Sequence, residues 1–344
     1  MKALKIITVL GMAMFLVAPQ PTDAGVRKSG LTGAAFLKVG VGARAVALGS
    51  AYTTVTGDVN QIFWNPAGSA LNSGDTQVML SHNSWIADLS HDAVGYARDF
   101  GDLGTVGIGI VTLGTSGIES DRDAVPQFVL DAGTFTPNDN GSGNYDYRDI
   151  AVGVTWSRHI TDRLDMGLTG KIVRQTIDGV SASAYAADFG AIYRTGFYGT
   201  RLGARINNLG SDLTFYDIGA PLPLIFSIGA ATDIYNDSGM QVTVLADATK
   251  PQDGEQLLYT AVEAQFFEML QLRTGYQFNY QGVEDEKVDE VDGVVFDAPR
   301  TEQGLTAGLG LDLSMGDYNA TVDYAFTSFG ILDQVHQFSL QFHF

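Results

Sequence analysis

The sequence contains no cysteine. That excludes disulfides and thiolate metal ligands, and it leaves the redox compartment unreadable from cysteine pairing. Cations are scarce too: 20 Lys and Arg stand against 39 Asp and Glu, for a formal net charge of −19. A nucleic-acid partner demands a basic face for its phosphates, so nucleic acid is excluded as a partner. Many acidic residues fall in expected loops, such as Glu284-Asp285-Glu286 and Asp289-Glu290, where they read as solvated surface. Long apolar runs are also missing after the first 24 residues, so no later segment reads as a spanning helix. Proline is low at 9 residues and glycine high at 41. Many of the glycines sit inside alternating segments, as at Gly107 and Gly109 or Gly308 and Gly310. Internal glycine weakens an ordinary core strand, whereas the lumen face of a large closed barrel tolerates it.

The N-terminus reads as an export signal. Lys2 and Lys5 precede an apolar run from Ile6 to Ala18; Pro19 and Pro21 break it, and Thr22-Asp23-Ala24 offers a small-residue cleavage site. The run of 13 residues falls short of the ~20 that a spanning helix needs. Residues 1–24 are therefore expected to be a signal peptide, with the mature protein starting at Gly25.

What the sequence has in abundance is alternation. From Gln337 to Phe344, Phe338, Leu340, Phe342 and Phe344 take one side of a strand, while Gln337, Ser339, Gln341 and His343 take the other. Fourteen such segments are expected. The first seven lie near 76–83, 90–100, 104–113, 147–158, 163–175, 183–195 and 199–207. The rest lie near 223–235, 240–249, 256–267, 270–280, 302–314, 317–327 and 334–344.

Two details favour a membrane barrel over a soluble sandwich. Glu263, Arg273, Asp312 and Asp323 sit in mid-strand on the polar side, which suits a wet interior. Aromatics gather near strand ends, at Trp85, Trp156, Tyr193, Tyr235, Tyr280 and Phe326, as interfacial girdles do. Short links such as Gly101-Asp102, Thr161-Asp162, Gly196 to Gly199, Asn236 to Gly239 and Met315 to Asp317 suit a periplasmic rim. Long ones at about 114–146, 208–222 and 281–301 suit the outside. The expected fold is all-β: a 14-stranded antiparallel transmembrane β-barrel over 76–344, in a bacterial outer membrane with lipid as its surroundings. Fourteen strands enclose more space than their own side chains fill. Residues 25–75, with a short helix over Ala43 to Val55, are accordingly read as an N-terminal hatch or plug.

The stretch Gly40-Val41-Gly42-Ala43-Arg44-Ala45, followed by Leu48-Gly49-Ser50-Ala51 and Phe63-Trp64-Asn65-Pro66-Ala67-Gly68, resembles the N-terminal region of PorV/PorQ-like outer-membrane proteins. Val335 to Leu340, followed by Phe344, looks like that family's ending, and a terminal aromatic strand looks like the signal read by outer-membrane assembly machinery. These proteins are related to FadL-like transporters of hydrophobic compounds, whose hatch also carries an Asn-Pro-Ala sequence. The resemblance implies a fourteen-stranded barrel with a hatch. It implies a role in type IX secretion, in which exported cargo proteins and secretion-system components are the partners. Its FadL-like side implies passage of a hydrophobic ligand through the lumen.

Chemistry is sparse. Gly114-Thr115-Ser116-Gly117 misses the spacing of a nucleophile elbow, and Gly107 and Gly308 open no strand-to-helix turn of a dinucleotide site. The five histidines are scattered without metal-ligand spacing. Asp131, Asn138, Asp139 and Asn140 read as a plain Asn/Asp/Gly loop. The chain is accordingly read as non-enzymatic, with no catalytic residue, no cofactor and no metal. The binding residues expected are in the hatch: Phe63 and Trp64 as apolar surface, and Asn65-Pro66 as a fixed backbone turn. Two functions follow, a surface-assembly factor that docks cargo on its long loops and a hatch-gated transporter of hydrophobic small molecules.

Overall fold

The structure is a computed structural model that describes residues 30–119, 144–254, 256–278, 304–315, 318–332 and 334–344. The signal-peptide reading, the loop Asp131–Asn140, the girdle position Tyr280 and the long connection 281–301 lie outside the described residues.

Alternation gives strands wherever it was read. In chain order they are β1 Thr76–Trp85, β2 Leu89–Asp99, β3 Thr105–Glu119, β4 Asn144–Thr161, β5 Leu164–Ile177 and β6 Val180–Arg194. Next come β7 Arg201–Gly210, β8 Leu213–Phe215, β9 Ile218–Ala220, β10 Ile225–Asp237 and β11 Met240–Pro251. The last five are β12 Leu257–Phe266, β13 Leu270–Phe278, β14 Leu305–Met315, β15 Tyr318–Ser328 and β16 Gln334–His343. Fourteen of these close into one barrel, and β8 and β9 form a separate hairpin. Each of the fourteen expected segments falls on its own barrel strand.

Closure is made by β1 and β16, which pair antiparallel from Gln77 opposite His343 to Ser84 opposite His336. Thr76 and Phe344 exchange both backbone hydrogen bonds, at 2.8 and 3.0 Å. The barrel thus has no open edge, which a backbone surrounded by lipid requires. Outside, Val322, Leu340, Leu80, Val94, Ile110, Val152 and Ile172 face one another strand by strand in an apolar hoop. Between them the chain turns polar groups inward: Ser81, Gln337, Ser339 and Asp323 are buried. A soluble protein sorts its residues the other way. Apolar outside and polar inside is the arrangement that lipid selects. Among the described residues no helix is long and apolar enough to cross a membrane, and the strands do the crossing.

The links Gly101–Leu103, 162–163, 195–200 and 238–239 lie at one rim, and the hairpin of β8 and β9 lies at the other together with the tight turn at Asp178-Gly179. Trp156, Tyr193 and Tyr235 are exposed outward at the short-turn rim. Trp85 departs from the girdle reading. It is partly buried against the inner cluster and stacks edge-on with Phe329 at 5.1 Å between ring centres. Strands β3 to β6, of 15, 18, 14 and 15 residues, outrun the ~9–11 that a tilted crossing needs. Their wall therefore extends beyond the bilayer on the long-loop side.

Residues from Gly30 to Gly74 make the hatch, which is largely buried inside the barrel over 41–71 and exposed at its ends. They form a five-residue helix, α1 (Ala43–Ala47), and single 3-10 turns at Ala35–Lys38, Val59–Ile62 and Pro66–Ser69. The helix is shorter than the expected Ala43–Val55. Gly49 (φ 59°) and Ser50 (φ 71°) take left-handed backbone, which ends the helix and lays the Gly49 backbone on the wall at Gly275.

Candidate functional site: the hatch and the cavity beside it

The wall glycines explain how the hatch is held. A Cβ on Gly167 would collide with the Pro66 carbonyl and the Ala67 amide, and one on Gly190 with Asn65 Oδ1. On the opposite wall, Gly275 meets the backbone of Leu48-Gly49, and Gly308 meets the Ala47 methyl. Gly109 receives the Phe63 ring, whose Cε1 would be 2.7 Å from an added Cβ. The high glycine content does not leave the lumen open, as a wet interior suggested. It lets hatch backbone lie directly on strand backbone.

Polar groups fix the register of that contact. Asn65 is fully buried; its Nδ2 donates to the Thr53 carbonyl at 2.6 Å, and its Oδ1 accepts the Ala67 amide at 3.2 Å. The Asp58 side chain caps the 3-10 turn at Val59–Ile62 by accepting the Asn60 amide at 2.8 Å. Arg44 on α1 makes a two-pronged pair with Glu263 of β12, at 3.0 and 2.9 Å, and a third bond to Asp58 at 2.9 Å. Tyr52 donates to the same Asp58 carboxylate at 2.5 Å. Arg273 joins Glu263 at 2.7 Å and also pairs with Asp323. The mid-strand charges Glu263, Arg273 and Asp323 therefore bind the hatch and one another. Burial pushes the Asp58 carboxyl upward, but Arg44 and Tyr52 outweigh it and hold it below the usual carboxylate range. A polar vestibule of about 710 Å³ lies between this network and the short-turn rim, near Gln77, Asp312 and His343.

On the other side of the hatch is a smaller cavity of about 110 Å³. Ile62, Phe63 and Trp64 bound it from the hatch, and Val111 and Ala151 from the wall. Gly109 and Gly153 widen it by presenting no side chain. Trp64 is fixed on three sides. Its indole N–H donates to the Val41 carbonyl at 2.8 Å, its ring meets Tyr52 edge-on at 5.8 Å, and the Arg205 guanidinium lies over it at 5.2 Å. Asn207 Nδ2 donates to the Trp64 carbonyl at 2.8 Å.

The far flank of the cavity is polar because of an irregularity in the wall. Between β6 and β7 the register slips, so that Asp188 faces both Asn207 and Asn208. Such a bulge re-aims side chains, and Asn208 takes φ 63° there. Asp188 Oδ1 accepts the Asn208 amide at 2.7 Å and the Lys171 ammonium at 2.8 Å, while Lys171 also donates to Asn208 Oδ1 at 2.5 Å.

Of the four hatch residues expected to bind, Phe63 and Trp64 line this cavity, whereas Asn65 and Pro66 pack against the wall. Lys171, Asp188 and Asn208 were not singled out in the sequence. The one signal for them was an inward register position occupied by a charged or amide side chain.

Fold and hatch together define the class: an outer-membrane β-barrel with an internal hatch. The chain belongs to the Uncharacterised protein family (UPF0164), whose model matches residues 17–206. Among curated proteins none matches. Solved structures do. The Ralstonia pickettii toluene transporter TbuX is similar at 13% identity and TM-score 0.55, over 88% of this chain and 97% of that one. The Pseudomonas putida toluene transporter TodX is similar at 12% identity and TM-score 0.53, over the same shares. A Pseudomonas aeruginosa FadL homologue is similar at 10% identity and TM-score 0.53, again over 88% and 97%. At these identities the likeness is one of fold, and it places this barrel among those of bacterial outer membranes. The comparisons take up the FadL-like side of the N-terminal resemblance and not its PorV/PorQ side.

Proposed function

We propose that this protein is a non-enzymatic passage for hydrophobic small molecules across the outer membrane, with the docked hatch forming one wall of the route. The carrying observation is the cavity bounded by Phe63 and Trp64 inside a closed barrel. Ligand pockets of this kind combine apolar walls with a few placed polar groups, and this one has both. The fold likeness to toluene transporters supports the same reading. The cargo-docking reading, with exported proteins as partners, draws no support from the relatives found.

The test is uptake of radiolabelled toluene by cells whose outer membrane depends on this protein for it. Wild-type protein should give saturable uptake, and Phe63→Ala with Trp64→Ala should reduce it several-fold at equal barrel abundance. Unchanged uptake in the double variant would remove these residues from the route.

A further inference from the structure

We infer that the cavity takes a small, uncharged, ring-sized molecule bearing a hydroxyl group, in preference to a plain hydrocarbon or a carboxylate anion. This rests on the transport reading and names the class of compound carried.

Size sets the first limit. An enclosed cavity of about 150 Å³ holds one benzene ring, and about 110 Å³ is available here. The space is therefore no larger than one small ring and cannot enclose a long acyl chain.

Charge sets the second. Of the three cations that line the cavity, two are ion-paired and the third faces a carboxylate only across a threonine. Lys38 pairs with Asp253 at 2.6 Å and Lys171 with Asp188 at 2.8 Å. Arg205 and Asp247 meet at Thr53: the guanidinium donates to its hydroxyl at 3.1 Å, and the carboxylate accepts its amide at 2.8 Å. An anionic ligand would add an unbalanced charge among groups that already have theirs matched, and burying such a charge is costly.

Hydrogen bonding sets the third. An ammonium has three donors, and Lys171 spends two, on Asp188 and Asn208. The third is left for an oxygen acceptor in the cavity. Nearby, the Thr155 and Thr169 hydroxyls bond each other at 2.7 Å, and their remaining lone pairs can accept a ligand O–H. A hydroxyl both accepts and donates, so it satisfies the two ends at once. A methyl group satisfies neither.

Three probes of one size separate these limits: 4-methylphenol, toluene and 4-methylbenzoate. Their binding to the full chain in lipid nanodiscs, corrected for empty nanodiscs, is read by titration calorimetry. 4-Methylphenol should bind about tenfold tighter than either of the others, the worth of one such hydrogen bond. In Lys171→Met that preference should vanish while toluene still binds. The paired change Lys171→Met with Asp188→Leu guards against misfolding from an unpaired Asp188, and it should give the same loss. Equal binding of toluene and 4-methylphenol, or tightest binding of 4-methylbenzoate, overturns this inference and leaves the transport reading standing. Failure of all three probes to bind overturns both.

Discussion

At the scale of single residues, contacts between hatch and wall rest on what is missing at glycine. Gly167→Ala and Gly190→Ala should each destabilise the protein by about 1–3 kcal/mol, since the added methyl meets backbone or the hydrogen-bonded Asn65 side chain. Gly170→Ala is the control, because nothing lies within 4 Å of its Cβ position. Thermal unfolding in detergent should separate the two classes. Equal behaviour of all three variants would mean that the hatch does not sit on those glycines. Asn65→Ala should cost a similar ~1–3 kcal/mol by leaving the buried Thr53 carbonyl and Ala67 amide without their partner. In the sequence Asn65-Pro66 was readable as a fixed turn, but not that Gly167 and Gly190 make its seat. Spacing along a strand shows which face a glycine takes and says nothing of what arrives from elsewhere in the chain.

At the scale of elements, the hatch is held at two ends by carboxylates. Asp58 fastens α1 and the turn after it, and Asp253, between β11 and β12, fastens Lys38 and Thr32 at 2.6 Å each. Burial raises the Asp253 carboxyl, but the Lys38 ammonium and the Thr32 hydroxyl hold it below its usual range. A lowered carboxylate contributes stability that is present above its unfolded value, ~3.9, and is lost as pH falls through the folded value. The hatch should therefore stay docked from neutral pH down to about pH 4 and loosen below it. Proteolysis of the hatch across a pH series, with an acid-active protease, reads this directly; loosening that began near pH 6 would contradict it. Removing Arg44 tests the other end. Arg44→Leu leaves the buried Asp58 without its cation and Glu263 with Arg273 alone, a change worth up to about 3–5 kcal/mol. It should raise single-channel conductance in planar bilayers, because the hatch is what fills the lumen.

The elements also show where reading the sequence stopped. Alternation gave each barrel strand because lipid outside and polar groups inside enforce it residue by residue. The hairpin of β8 and β9 escaped, since strands of three residues are too short to show a period within the connection 208–222. The length of α1 was overestimated, because the apolar spacing at Ala45, Val46, Leu48, Ala51 and Tyr52 continues through a backbone that Gly49 has already turned.

At the scale of the whole molecule, the barrel is defined by its apolar hoop. Val94→Arg, on the hoop and 46% exposed, should cost about 2–4 kcal/mol at the bilayer midplane, measured by denaturant unfolding from lipid vesicles. A polar change at an inward position such as Ser339 would not carry that penalty. The cavity belongs to this scale too. Its walls come from the hatch and from strands β3 to β7 and β10 to β12, with glycines at 109 and 153, and no local stretch of sequence contains it. Phe63 and Trp64 were legible as apolar residues beside a turn. The polar flank of Lys171 and Asp188 was not, because the bulge that aims it arises from the pairing of β6 with β7.

The central claim is that a hydrophobic molecule reaches Trp64 inside the barrel. The sequence has three tryptophans, so Trp85→Phe with Trp156→Phe leaves Trp64 as the sole reporter. Titrating this variant in nanodiscs with 4-bromotoluene, a heavy-atom quencher, reads access to the cavity. The account predicts saturable quenching of Trp64 that unlabelled toluene competes away. Fluorescence that stays constant, while a variant retaining only the outward-facing Trp156 is quenched from the lipid, would contradict it.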